Sequence, residues 1–442
     1  MPYWQVKGRR PFERASKIAH AEIINNPLVQ HFVQGCTLPS APPPEDLKQK
    51  LLELPEANGR ISAVIAIDGG MTETYVREEF PTASIAFIAV GPLLLRLEDL
   101  ADLDRQPFIG PEDMQRLKSI ERYVLVLPTK SVRAKGGTTF SQGVRWAVQD
   151  FLLQRHLMPA LQWLLFREWR AKEEREAWEI PKCPNPDCWE EQIRFRSGDS
   201  VEQPCPRCRQ PVYLSDGLRL YERIDEELGA GAILGYLLTA IEQIVLVHLI
   251  RSIWNLKPSL FREVLFIKDG PLAFFGVTAP MYRPMRDLMK FLGTAESEPL
   301  INLVGVEKTG PFVEHAALID KDLGPGQVLV LNNEYIYRHI EPGNASDKSF
   351  GKNTYYGAKV IFRGWNQDTY VASIPTGDYK PNPALADFYN GADVLRVLSR
   401  LRCSMYDNAL VPVVLANRLV SLADVPSAEI LKKFAKQQVK LA

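Results

Sequence analysis

The stretch Leu228–Ile250 is apolar on nearly every side and almost long enough to cross a bilayer. Glu242, Gln243 and His248 interrupt it, and each is costly among lipid tails. It therefore reads as a helix surrounded by protein, and the rest of the chain must supply the layers around it. Short apolar or β-branched runs lie on both sides in sequence. Ile61–Ile67, Ser84–Val90 and Tyr123–Leu127 come before it; Glu263–Ile267, Leu300–Val306, Gln327–Leu331, Lys359–Arg363 and Tyr370–Ile374 come after. Strands before and after central helices predict an α/β fold, a mixed sheet flanked by helices.

A helical pattern runs from Gln149 to about Trp178, densely charged over Arg167–Glu179, and resumes from Asp216 to Trp254. Two further helices, Pro383–Leu401 and Ala409–Leu422, close the chain. The predicted division is a helical lead-in over 1–60 with a break at Pro39–Pro44, a first core part over 61–179, a cysteine-rich insertion over 180–214 seated on a helical hairpin, and a second core part over 215–442. At 442 residues the chain exceeds one ordinary domain. Lys+Arg and Asp+Glu are both 53, which argues against coating nucleic acid by bulk charge and leaves room for a local basic groove. The start, Met-Pro-Tyr-Trp-Gln-Val-Lys, lacks the apolar core of a signal peptide, so a cytoplasmic location is expected.

Cys183-Pro-Asn-Pro-Asp-Cys188 is followed after sixteen residues by Cys205-Pro-Arg-Cys208. Two short pairs across a loop can place four thiolates at the corners of a tetrahedron, the way a structural zinc site is closed. Such a zinc holds structure and leaves no open position for chemistry, and chelation is expected to disorder 180–214 while the core stays folded. Cys36 and Cys403 read as plain thiols. Arg194, Arg196, Arg207 and Arg209 around this element either touch phosphates or keep it soluble.

Ile61–Ile67 runs into Asp68-Gly-Gly, and Arg262–Lys268 runs into Asp269-Gly. Each carboxylate is expected at the carboxyl end of a buried strand, where ligand sites of open α/β sheets lie. Glu242 on the apolar helix is costly unless paired or bound to metal. Three such acids suit a Mg²⁺ or Mn²⁺ site, since hard cations take oxygen ligands and two of them can activate water and stabilise a leaving oxygen. Asp-Gly is also a common turn pair, and Glu242 can instead pair with Arg251 or His248. Buried like charges are tolerable only with a cation between them, so Asn at 68 or 269, or Gln at 242, is expected to hold or raise stability in EDTA.

At these residues the sequence resembles the NurA nuclease family over about Ile61–Leu422. The likeness rests on Ala66-Ile-Asp68-Gly-Gly, the helix bearing Glu242, Phe266-Ile-Lys-Asp269-Gly-Pro-Leu, Gly305-Val-Glu-Lys308-Thr, and Tyr406 with Ala416-Asn417. It implies an RNase H-like fold, Mn²⁺- or Mg²⁺-dependent cleavage of DNA, a homodimer, and work with a HerA-type hexameric ATPase that translocates DNA. By position, Asp68, Glu242 and Asp269 would be the metal ligands, Lys308 would face a phosphate or stay solvated, and Tyr406 would be the C-terminal active-site tyrosine. The chain departs from the family where Ala-His is usual: Asn417 can offer a carbonyl oxygen but cannot act as acid or base. The work with the translocase would be DNA end processing or anti-phage defence, and the zinc insertion, beyond the family minimum, marks a specialised branch such as a defence system.

Two rival readings remain. Asp68-Gly-Gly-Met-Thr72 and Gly136-Gly-Thr-Thr139 also fit the phosphate loops of actin-like and sugar kinases, though no GxxxxGK[ST] motif occurs. A degenerate nuclease fold bridging DNA and an ATPase is the other. Lys130-Ser-Val-Arg133-Ala-Lys135-Gly-Gly-Thr138 can clamp a DNA backbone or be a solvated loop. Trp4, Phe12, Ile18, Ile23 and Ile24 form a candidate dimer contact or pack on their own core.

Overall fold

The computed structural model describes residues 17–40, 42–99, 118–119, 121–134, 137–346, 348–403, 409–422 and 427–439. Strands β1 (Leu51–Glu53), β2 (Ala63–Arg77), β3 (Ala83–Arg96), β4 (Lys118–Ser119) and β5 (Tyr123–Lys130) come first. The insertion holds β6 (Trp178–Lys182), β7 (Glu191–Phe195), β8 (Glu202–Pro204) and β9 (Pro211–Tyr213). Then follow β10 (Val264–Asp269), β11 (Asn302–Glu307), β12 (Gln327–Val330), β13 (Ala358–Arg363) and β14 (Thr369–Ile374).

Ten of these strands make one mixed sheet in the order β1-β12-β13-β14-β11-β10-β2-β3-β4, with β5 also on β3. Within it, β2, β10 and β11 run parallel, and β3 is antiparallel to both β2 and β5. In chain order the five core strands therefore lie third, second, first, fourth, fifth, with the second reversed. That is an RNase H-like sheet.

The strands β2 and β10 read as continuous apolar runs because both faces are covered. Ile65 and Ile67 share one core with the central helix Leu234–Leu256, while Val64 and Ala66 share the opposite core with the helices Gly391–Leu398 and Val411–Val420. The segment Gly231–Leu256 is long and apolar enough to cross a membrane, yet 72% of its apolar window is buried inside the protein. It is a core helix.

Several elements differ from the sequence reading. The helical pattern breaks at Arg167, which takes φ 52 and turns its guanidinium inward onto the Leu165 carbonyl and Asp287. The charged stretch beyond it is a single 3-10 turn, Lys172–Glu174, and then β6. On the far side of the insertion, short 3-10 turns precede the central helix, so the insertion sits between the Met158–Leu165 helix and the central one. Among its described residues the lead-in holds three short helices, and it ends in β1, which pairs with β12. Helices Tyr282–Thr294, Pro311–Ile319, Asn333–His339 and Ser427–Gln438 were not apparent in the sequence.

Candidate active site

Parallel pairing in register, Ile67 opposite Lys268, sets Asp68 and Asp269 side by side. There the two strands part. The chain turns at Gly270 with φ 80, while β2 runs on along β3, with Asp68 opposite Gly91 and Gly69 opposite Val90. Asp68 is thus inside a long strand and not at its carboxyl end, as the sequence suggested; it is β10 that stops. The vacated flank of β2 becomes the crevice.

Glu242 reaches this crevice from the central helix. A Cβ on Gly69 would lie 2.6 Å from Leu238 Cδ1 and 3.0 Å from Glu242 Oε1, so a larger residue there would push on the side chains that line the crevice. A Cβ on Gly70 would lie 2.6 Å from the Val420 carbonyl oxygen, so the second glycine admits the closing helix. The cavity, about 450 Å³, is lined by Asp68, Glu242, Lys268, Asp269, Phe275 and Lys308 among others.

Two lysines stand among the three acids. Lys308, just past β11, places Nζ 3.1 Å from Asp269 Oδ2 and 4.0 Å from Asp68 Oδ2. Lys268 is buried within β10 and places Nζ 3.0 Å from Glu242 Oε2, also donating to the Asp269 carbonyl. The partner of Glu242 is therefore this lysine and neither Arg251 nor His248. The sequence held one signal for it: a lysine inside an otherwise apolar strand needs a buried acid.

Asp68 is 2% exposed. Its Oδ1 accepts the Gly69 amide hydrogen at 2.7 Å, whereas Oδ2 is buried with no hydrogen-bond partner. Burial, then the nearby Asp269, pushes its carboxyl up to about 7. Burial also raises Glu242, against the pull of Lys268. An orphaned carboxylate oxygen beside two more acids offers the oxygen donors a hard divalent cation takes, but with Lys268 on Glu242 and Lys308 on Asp269 the three carboxylates are not clustered as the four cysteines are.

The remaining sequence candidates fall elsewhere. Asn417 is exposed on the Val411–Val420 helix and does not line the crevice. Tyr406, Lys135 and Gly136 lie outside the described residues. Arg133 folds back to donate to the Thr138 carbonyl at 3.1 Å. Thr139 caps the helix Phe140–Gln154, and the Glu226 carboxylate accepts the Phe140 and Ser141 amides, each at 2.9 Å.

The four cysteines converge. Their sulfur atoms lie within 4.8 Å of one another, with Cys183–Cys208 and Cys188–Cys205 each 3.8 Å apart. A tetrahedron with metal–sulfur bonds of about 2.3 Å has edges of about 3.8 Å, which these two pairs match, so the cluster could hold a metal ion. Around it, β6 pairs with β7 and β8 with β9. The element is not a free appendage: Cys183, Cys188 and Cys205 share the core of the central helix. Arg145 on the Phe140–Gln154 helix grips buried Asp216 at 2.6 Å and donates to the Pro211 carbonyl at 2.9 Å. Of the surrounding arginines, Arg194 pairs with Glu179 at 3.2 Å and Arg207 stacks on exposed Trp189 at 4.1 Å.

Residues 62–255 match the family model of the NurA domain. This span holds Asp68, Glu242 and the four cysteines; Asp269 and Lys308 follow it. No curated protein matches the chain. Among solved structures, the crystal structure of the NurA nuclease from Sulfolobus solfataricus aligns over 95% of this chain and 93% of its own, at 8% identity with a TM-score of 0.36.

Proposed function

From the match of residues 62–255 to the NurA domain model, we propose that the protein is a nuclease that hydrolyses DNA phosphodiester bonds with a divalent metal. The observation that carries the reading is Asp68 Oδ2, buried without a hydrogen-bond partner beside Asp269 and Glu242. Asp68, Glu242 and Asp269 would hold Mn²⁺ or Mg²⁺, and the ion would supply an activated water and charge stabilisation at the leaving oxygen.

The chain's own residues then have distinct tasks. Lys268 neutralises Glu242 and fixes its direction. Lys308, partly exposed at the crevice mouth, offers its ammonium to a phosphate oxygen. Cys183, Cys188, Cys205 and Cys208 hold a structural Zn²⁺ in a ribbon, the 180–214 insertion, between core parts 61–179 and 215–442 behind the 1–60 lead-in. By the family resemblance Tyr406 would act from the C-terminal segment, whereas Asn417, exposed and away from the crevice, is not proposed for the site. The family resemblance adds a homodimer and a HerA-type hexameric ATPase, in DNA end processing or anti-phage defence, and the proposed setting is the cytoplasm.

The kinase reading loses its loops. Asp68 to Thr72 is extended ladder, paired with β3, and its amides form no phosphate cradle. Of the second loop, the Thr138 amide is already held by Gln142 Oε1 at 3.0 Å, and the Phe140 and Ser141 amides that follow it are held by Glu226. The scaffold reading has one observation in its favour, that lysines already pair with Glu242 and Asp269. Purified protein incubated with labelled single- and double-stranded DNA in Mn²⁺, Mg²⁺ or EDTA separates the two. Cleavage in metal and none in EDTA, lost in Asp68→Asn and Asp269→Asn, supports the nuclease. Equal cutting by parent and variants in both metals would sink it, and no cutting by the parent leaves the scaffold. Adding a HerA-type ATPase to the same reaction reads out the partnership as a faster rate.

A further inference from the structure

Phe275 lines the carboxylate crevice and also a second cavity of about 610 Å³. It is 41% exposed, although a phenylalanine in a loop could have turned inward. From it, aromatic rings follow one another along the second cavity. Phe275 meets Tyr355 edge-on at 5.7 Å, Tyr355 meets Phe350 at 5.4 Å, and Phe350 meets Tyr337 at 6.1 Å.

The row is built into the fold. Phe274 donates its amide to the Thr354 carbonyl at 2.9 Å, Ala273 and Tyr355 form a β-bridge, and Arg286 donates to the Lys352 carbonyl at 3.0 Å. Lys348 and Lys352 stand exposed on the rim, and among the described residues the one acid lining it is Glu341. Ring faces beside a cationic rim suit a chain with an anionic backbone and free bases. In a duplex the bases are already stacked on each other and cannot reach such rings.

We infer that this groove is a single-strand track: DNA leaving or entering the crevice lays a base against Phe275 and its phosphates along Lys348 and Lys352. The direction of the track rests on the nuclease reading of the crevice, but its test does not need cleavage. Fluorescence anisotropy of full-length protein in EDTA, with labelled oligothymidylate and with a blunt duplex, measures binding alone. Phe275→Ala is expected to weaken oligothymidylate binding about tenfold while leaving the duplex nearly unchanged, and Phe275→Trp to restore it. Lys348→Ala with Lys352→Ala should weaken binding and flatten its salt dependence by about one unit of slope. Melting temperatures confirm that the variants are folded.

Unchanged oligothymidylate affinity in Phe275→Ala, an equal loss on duplex, or a parent that binds no oligothymidylate would overturn the track. Cleavage of the same oligonucleotide in Mn²⁺ is scored in parallel. Ring-dependent binding without cleavage ends the nuclease reading alone; cleavage with ring-independent binding ends the track alone.

Discussion

Asp68 and Glu242 are both buried acids, but they differ in what faces them. Asp68 has an orphaned oxygen and a carboxyl raised from 3.8 to about 7. The folded chain therefore holds this proton more tightly than the unfolded one, and stability in EDTA should fall as pH rises from about 4 to about 7. The loss is at most about 4 kcal/mol. Melting curves across that window should show it, and Asp68→Asn should flatten the slope. Glu242 is the reverse case, because Gln there strands the buried Lys268 ammonium. The expectation that this substitution would hold or raise stability is withdrawn. Denaturation in EDTA should instead show Glu242→Gln about 3–5 kcal/mol less stable than the parent.

At the scale of elements, the insertion is expected to be a strut. Elemental analysis should find one zinc per chain in protein purified without chelator. Because three of the cysteines share the central helix's core, stripping the metal should lower the melting temperature of the whole chain, beyond disordering 180–214. Arg145→Ala, which leaves Asp216 buried and unpaired, should cost about 3–5 kcal/mol in a denaturant titration even with zinc bound.

The sequence reveals those elements whose signals are local. Cysteine spacing, apolar runs ending in Asp-Gly, and a lone glutamate on an apolar helix are all read within a few residues. It hides what depends on distant partners. That β2 continues past Asp68 follows from β3 being long enough to pair with it, and that Arg167 breaks a helical pattern follows from Asp287 far along the chain. The Lys268–Glu242 pair and the Glu226 cap on the Phe140–Gln154 helix are contacts across the fold, invisible to periodicity.

For the whole molecule, the exposed apolar side chains Ile23, Ile24, Leu28, Phe32 and Val33 on the first two described helices call for a cover, and a second copy is the expected one. Light scattering should give twice the 50.0 kDa chain mass, falling to one chain when residues 1–40 are deleted. Trp4 and Phe12, which belonged to the expected contact, lie outside the described residues.

The sheet order has a consequence for synthesis. The strand β10 sits in the middle of the sheet, between β2 and β11, yet leaves the ribosome long after β2. Until then β2 presents an unpaired edge to whatever the cell contains, while Asp68 waits without Asp269. On the proposed nuclease reading, a growing chain of this kind could not cut, because Asp68 meets Asp269 only when the late strand slots in. It is also most open to mispairing throughout that interval, which is when a chaperone would matter most.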